Sequence, residues 1–467
     1  MKLARFLTLS ISALALSACA AGPDYVAPLA SPASSGPFLS HSAAVSAAPV
    51  AANWWTLYND PVLDGLIQDA LAANTDIRVA VAHLEKARAA LSGAKAERLP
   101  QTQIGAGATY GRLPVGQRTA DAPREDWSVD AGLAVSYEAD LFGRVRRGVE
   151  AARGDAAAAE ADAEAVRIAV IADTTRAYAD ATSGAARLTV AHHIVALLDQ
   201  LVDLTRKRHE AGLAPQIDVA RVLTLRNQRA ADIPALEAQR QAALFRLATL
   251  TGRAPADLPE IATRRSTSLE IKQAIPVGDG AALLARRPDI RAAERRLAAD
   301  TARIGVATAD LYPRIALGAS IGSTGPNIGD VFGAGPLRWL LGPLISWSFP
   351  NQSAARARIA GAEADSKAAL ATFDGTVLGA LRETETALSS YARALERRQT
   401  LQEAQAAAEQ AATIARARQR EGAIDGLQLL DTERTFSETQ AALAEQDAAV
   451  SAAQIDLFRA LGGSWSS

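Results

Sequence analysis

The chain has 467 residues, with 49 Lys+Arg against 51 Asp+Glu, and the resulting net charge of −2 argues against a polyanion such as nucleic acid as partner. Alanine fills 107 positions and aromatics only 5%, which favours long, closely packed helices over a bulky globular core, while 49% hydrophobic residues exclude wholesale disorder. One Cys excludes a disulfide framework, and five scattered His leave little for a zinc site.

In chain order, residues 1–18 read as a signal peptide: Lys2 and Arg5 form the charged start, and Phe6 to Leu16 the apolar centre. Leu16-Ser17-Ala18-Cys19 then matches the lipobox of bacterial lipoproteins, so the mature chain is expected to begin at a lipidated Cys19 outside the cytoplasm. Ala20 follows it rather than Asp, so the usual signal for retention in the inner membrane is absent. Residues 19–52 are expected to form a lipidated tether, because 29–52 is rich in Ser, Ala and Pro. No later stretch reaches the ~18 uninterrupted apolar residues of a transmembrane helix.

The rest of the chain reads as a duplication. Asp76-Ile77-Arg78 recurs as Asp289-Ile290-Arg291, and Leu99-Pro100 as Tyr312-Pro313. Glu210-Ala211-Gly212 recurs as Arg420-Glu421-Gly422, and Leu250-Thr251-Gly252 as Ala460-Leu461-Gly462. Residues 53–75 then precede a first repeat over 76–252, 253–288 connect it to a second over 289–462, and 463–467 form a tail. Each repeat predicts a helix, two strands, a long helix, a turn and a returning helix.

The strands of the first repeat fall near 101–141. Ile104, Ala106, Ala108 and Tyr110 alternate with Gln103, Gly105, Gly107 and Thr109, and Trp127 to Tyr137 alternate in the same way. In the second repeat they fall near 313–349, the last one weakened by Pro343. Lengths near ten residues with terminal aromatics suit strands that span a membrane. Four such strands cannot close a barrel, and an open edge cannot face lipid. Two chains would supply eight strands and a filled barrel; three would supply twelve and a channel.

The long helices are expected at 144–211 and 354–421, and the returning helices at 216–250 and 426–460. Val145, Val149, Ala152, Ala156, Ala159, Ala163, Val166 and Val170 keep the 4-3 spacing of a coiled coil, and Leu370 to Leu395 repeat it in the second half. Helices of this length span about 100 Å, too long for a globular core. Gly212 and Gly422 stand where a helix end wants a left-handed residue. Pro234 is expected to interrupt and kink the first returning helix.

These residues resemble the outer-membrane efflux protein family, the TolC-like channels, and within it the NodT-type lipoproteins. The resemblance is carried by Cys19 with Gly22-Pro23-Asp24-Tyr25, Trp54-Trp55 before Asp60-Pro61, Ile233-Pro234-Ala235-Leu236, Arg287-Pro288-Asp289-Ile290 with Tyr312-Pro313, and Leu461-Gly462-Gly463. It implies a mainly α fold with a small β part. In it, a homotrimer closes a twelve-strand barrel in the outer membrane, and antiparallel coiled coils continue as a periplasmic α-barrel. It implies a periplasmic adaptor and an inner-membrane transporter, of the RND class, as partners, and the export of drugs, small toxic solutes or metal ions. The periplasmic tips would hold the gate. Asp431 matches an acidic lumen position of the family, Gln428 replaces a second acid one turn earlier, and Arg418 and Arg420 are candidates for closing ion pairs with Asp431. Gly212, Leu213, Gly422 and Ala423 are the candidate adaptor contacts.

Catalysis finds no support, and no cofactor is expected beyond the lipid on Cys19. His192, His193 and His209 lack ligand-spaced partners, and Glu383 and Glu385, two apart on a helix, diverge. Two competing readings remain: an exit duct for type I protein secretion, and a non-channel coiled-coil lipoprotein.

Overall fold

A computed structural model describes residues 20–28, 35–40, 42–50, 53–112, 114, 123–329 and 337–463. The signal peptide and Cys19 lie outside the described residues. The chain folds into two compact units. One contains residues 20–28, His83–Glu160 and Ala292–Asp374; the other contains the remainder of the described chain.

In chain order the elements are β1 (Val45–Ser46), a 3₁₀ turn (Trp54–Tyr58), α1 (Pro61–Ala73), α2 (Thr75–Ala96), β2 (Gln101–Arg112), β3 (Glu125–Glu138), α3 (Arg144–Glu210) and α4 (Gln216–Leu250). There follow two short 3₁₀ turns, β4 (Ile275–Pro276), α5 (Gly280–Arg286), α6 (Pro288–Ala309), β5 (Arg314–Gly325), β6 (Leu337–Ser346), α7 (Ser353–Arg420) and α8 (Gly426–Ala460). Among the described residues no helix is long and apolar enough to cross a membrane.

The sheet of the first unit has the antiparallel order β2-β3-β5-β6. Pro343 does not interrupt β6: it pairs with Leu317 inside the strand. The physical reason is position, since β6 is an edge strand and the missing N–H of proline removes no ladder bond there. Trp347 and Phe349, expected in that strand, lie just past its end at Ser346, stacked on each other at 4.8 Å. The start of α3 follows from Asp140, whose carboxylate accepts the backbone N–H groups of Val145 at 3.1 Å and Arg146 at 2.7 Å.

The second unit holds the main core. Trp54 stacks on Phe458 at 4.6 Å, and Leu63, Ile67, Leu247, Leu283 and Leu457 around them are fully buried. Buried Asp60 organises this core: it caps α1 at Val62 and Leu63, accepts the Tyr178 hydroxyl at 3.1 Å and pairs with Arg265 at 2.8 Å. Small residues let α3 pass through the middle. Thr174, Thr175, Ala177, Ala181, Thr182 and Ser183 are all buried, and each threonine hydroxyl returns a hydrogen bond to its own helix. The α7 seam is deepest at Thr384, Leu388 and Tyr391, whereas Leu370 at its start is exposed.

Two expectations need correction here. Pro234 does not interrupt α4, which is continuous from Gln216 to Leu250 with the proline inside. The coil contacts on either side, with Val222, Leu225, Leu236 and Leu244 all buried, keep the helix going past the missing N–H. The described part of 35–50 is not a free tether. Phe38 and Val50 are buried, Glu385 accepts the backbone N–H groups of Leu39 at 2.6 Å and Ser40 at 3.0 Å, and β1 pairs in parallel with β4. A Ser/Ala/Pro composition hid two apolar anchors and a strand, which are enough to hold an extended segment down.

Candidate functional site

The register of the sheet sorts its side chains into two faces. Ile104, Leu133, Ile321 and Trp339 form one row across all four strands, and Ala106, Ala131 and Ser323 the next. Tyr110 meets Trp127 at 5.6 Å at one end of the sheet, and Trp347 with Phe349 lies at the other. This face is uncovered: Ile104 is 84% exposed and Trp339 is 73% exposed. The opposite face carries mainly Gln, Ser, Gly and a few charges on β2, β3 and β5, with Leu340 and Leu344 beside Arg338 on β6. Gly132 and Gly322 are paired in register there, and a Cβ on Gly322 would lie 2.7 Å from the Ala131 carbonyl oxygen. The two backbones therefore come closer than any side chain permits. Within the described residues β2 and β6 each keep an unpaired edge.

The two hairpin tips of the second unit share one construction. The Leu213 N–H reaches the Arg208 carbonyl at 2.8 Å and the Gly212 N–H reaches that of His209 at 2.9 Å. Ala423 and Gly422 repeat this on Arg418 and Gln419. Both are Schellman ends with the glycine in the left-handed region, φ +77° and +71°. Gly212, Leu213, Gly422 and Ala423 are all exposed, with Leu427 exposed beside the second tip. The tips adjoin, since Gly426 approaches the Asp218 carboxylate, and Arg229 of α4 pairs with Glu438 of α8 at 3.0 Å.

The four candidate gate residues lie in the last turn of α7 and the first turns of α8. Asp431 and Gln428 are exposed, and the Gln428 N–H is capped by Asp425 at 2.8 Å. The described residues contain no ion pair between Asp431 and Arg418 or Arg420. Arg420 donates to the Arg416 carbonyl instead, and Arg434 pairs with Glu438. One of the ion pairs that tie α7 to α8 was missed by sequence reasoning. Arg416 grips Glu433 with two hydrogen bonds of 2.6 and 2.8 Å, Glu433 is buried, and the guanidinium lies over Phe436. Its signal was the spacing Leu429, Glu433, Phe436, which puts an acid in a buried seam.

The Gly22-Pro23-Asp24-Tyr25 segment also has a place in the first unit. The Ala21 N–H donates to Phe142 at 3.0 Å, and Gly22 lies against the backbone of Gly305. Arg147, buried in α3, pairs with Asp24 at 2.6 Å and Glu150 at 2.8 Å. The Tyr25 hydroxyl donates to Glu294 at 2.5 Å, and burial next to that carboxylate pushes the phenol well above the usual tyrosine range. An isolated glycine within a helical pattern, Gly305, was the available signal for such close approach.

Long antiparallel helices joined to a small sheet with one uncovered apolar face are the architecture of TolC-like channel proteins. The chain belongs to the outer membrane efflux protein family, whose model matches residues 66–253 and 281–463, and is an outer-membrane channel component of an efflux pump. It is 32% identical to outer membrane protein OprJ of Pseudomonas aeruginosa over 97% of this chain and 94% of that one. It is 30% identical to nodulation protein T of Rhizobium leguminosarum bv. trifolii over 95% and 94% of the two chains. The solved structure of the outer-membrane channel OprN superposes with a TM-score of 0.89 at 35% identity, covering 96% of this chain and all of that one.

Proposed function

We propose that three copies of the chain share one twelve-strand barrel in the outer membrane, and that the long helices continue it as a periplasmic tunnel. The single observation that carries this is the sheet: four strands, an apolar face turned to no protein, and two open edges. An edge cannot stay unpaired in lipid, so β2 of one copy must meet β6 of the next. Twelve strands leave a water-filled bore, whereas eight would be plugged by side chains. The likeness of 76–252 to 289–462 supports an origin by duplication, which would give each chain two near-equivalent walls.

In this reading the duct is passive. A periplasmic adaptor docks on the exposed tips at Gly212, Leu213, Gly422 and Ala423, and an RND-type transporter in the inner membrane drives drugs, small toxic solutes or metal ions through it. A lipid on Cys19 adds a second hold on the membrane. Three Asp431 carboxylates around the axis form an acidic ring that favours cations at the periplasmic constriction. The deciding experiment is the oligomer mass of detergent-extracted protein, measured together with conductance in planar bilayers. A trimer that conducts supports the proposal, and a monomeric, non-conducting rod ends it. Two variants divide the finer parts. Cys19→Ala should abolish palmitate labelling, and Asp431→Ala should raise conductance or antibiotic entry, with an unchanged closed state moving the gate elsewhere.

A further inference from the structure

The polar face of the sheet carries a charge pair near the end of β5 and the start of β6. Asp130 of β3 and Arg338 of β6 stand on either side of β5, their charged groups 4.0 Å apart. The register shows how they meet across a whole strand. Asp130 faces Thr324 and Arg338 faces Gly322, so the arginine crosses β5 where there is no side chain to climb over. On its other flank the Asp130 carboxylate leans over Gly107, where a Cβ would lie 3.3 Å from it. Glycine on both sides lets the two charges lie flat along the wall. Eight residues further down β3 the face is charged again, at Glu138, which binds Arg144. Between the two levels β3 presents only Gly132, Ala134 and Ser136 on this face.

We infer that Asp130 and Arg338 form a wall-hugging, charge-balanced belt inside the barrel that keeps the bore wide and without preference for the sign of the solute's charge. The inference rests on the shared-barrel reading, in which three pairs line one ring. A twelve-strand barrel has a radius of about 12 Å, given strands ~4.8 Å apart and tilted ~40°. The screening length is about 10 Å at 0.1 M salt. An unbalanced ring would therefore be felt across the bore at that ionic strength, and the balanced one is not. The belt permits a single duct to pass solutes of either charge, leaving selection to other parts of the machine.

The test uses the full-length channel in intact cells. Cys19 is the sole native cysteine, so Ser128→Cys places one new thiol on the polar face, beside the belt. Its modification by small cationic and anionic thiosulfonates, added from outside at low salt, reads the local potential without passing the periplasmic constriction. Adding Asp130→Asn should shift the cation-to-anion rate ratio down at least about twofold, and adding Arg338→Gln should shift it up as much. The double variant should return to the parent ratio, and all shifts should shrink at 1 M salt, where screening acts within about 3 Å. Equal ratios in all four proteins, or shifts of the same sign, would overturn the belt. If the thiol at 128 is closed to both reagents while one placed by Val129→Cys is open to them, the polar face is not a lumen and the channel reading itself fails.

Discussion

Tryptophan meets two different surroundings in this molecule. Trp54 is 2% exposed and stacked on Phe458, in a core that the second unit builds from its own helices. Trp339 is 73% exposed on the apolar face of the sheet, with Leu341 and Ile345 bare beside it. At about 25 cal/mol per Å² of apolar surface, the core has already gained its burial energy, whereas the sheet gains it only when something apolar covers it. The core therefore stands by itself and the sheet is stabilised by its medium.

The largest effect should separate these two regions. Trp54→Ala should cost about 3–5 kcal/mol by thermal unfolding, in detergent and in bilayers alike, because it empties a closed core. A milder loss would mean that the core is less closed than its packing indicates. The next test is on the sheet. Leu341→Arg, in mid-strand on the apolar face, should cost about 2–4 kcal/mol in a bilayer, read as failed insertion into liposomes. Leu340→Arg, its neighbour on the opposite face, should insert normally. Equal behaviour of the two variants would erase the distinction between lipid and lumen.

Much of this was legible in the sequence. Alternation in 101–138 and 314–325 assigned side chains to faces because the strand period of two leaves only one way to divide them. The helix ends at Gly212 and Gly422 were legible because a left-handed residue in that place has few alternatives. What could not be read were contacts set by tertiary neighbours. Phe38, Val50 and β1 sit in a stretch whose composition is that of a linker, and only partners hundreds of residues away give them structure. The Arg416–Glu433 clamp was missed for the same reason. Both residues look solvated in a charged helix, and only the turn between α7 and α8 brings them together. Pro343 and Pro234 misled in the other direction, since local propensity yielded to an edge position and to coil packing.

Three smaller effects sharpen the comparison within the second unit. Arg416→Ala should strand the buried Glu433 and destabilise the second hairpin by about 1–3 kcal/mol, less than a fully buried pair because the arginine is partly in water. Hydrogen exchange should show the loss confined to that hairpin. Asp425→Ala removes the cap of α8 and should cost about 1 kcal/mol; the first hairpin, whose α4 has Pro215 in the cap position and no side-chain cap, has no equivalent to lose. Tyr58→Phe should stabilise by up to about 1 kcal/mol, because the buried Tyr58 hydroxyl has no partner among the described residues. Burial also raises the Tyr58 phenol above its ordinary value. The cost of the buried phenol is therefore constant below about pH 10 and grows above it, by ~1.4 kcal/mol per unit, as the unfolded phenol ionises and the folded one does not. The phenylalanine variant should show a correspondingly shallower alkaline decline in melting temperature.

The fastening of residues 21–25 to Phe142, Arg147, Glu294 and Gly305 leaves that short segment no slack. A reporter inserted between Ala21 and Tyr25 would have to break these bonds to be accommodated, which makes this stretch a poor place for a tag in living cells.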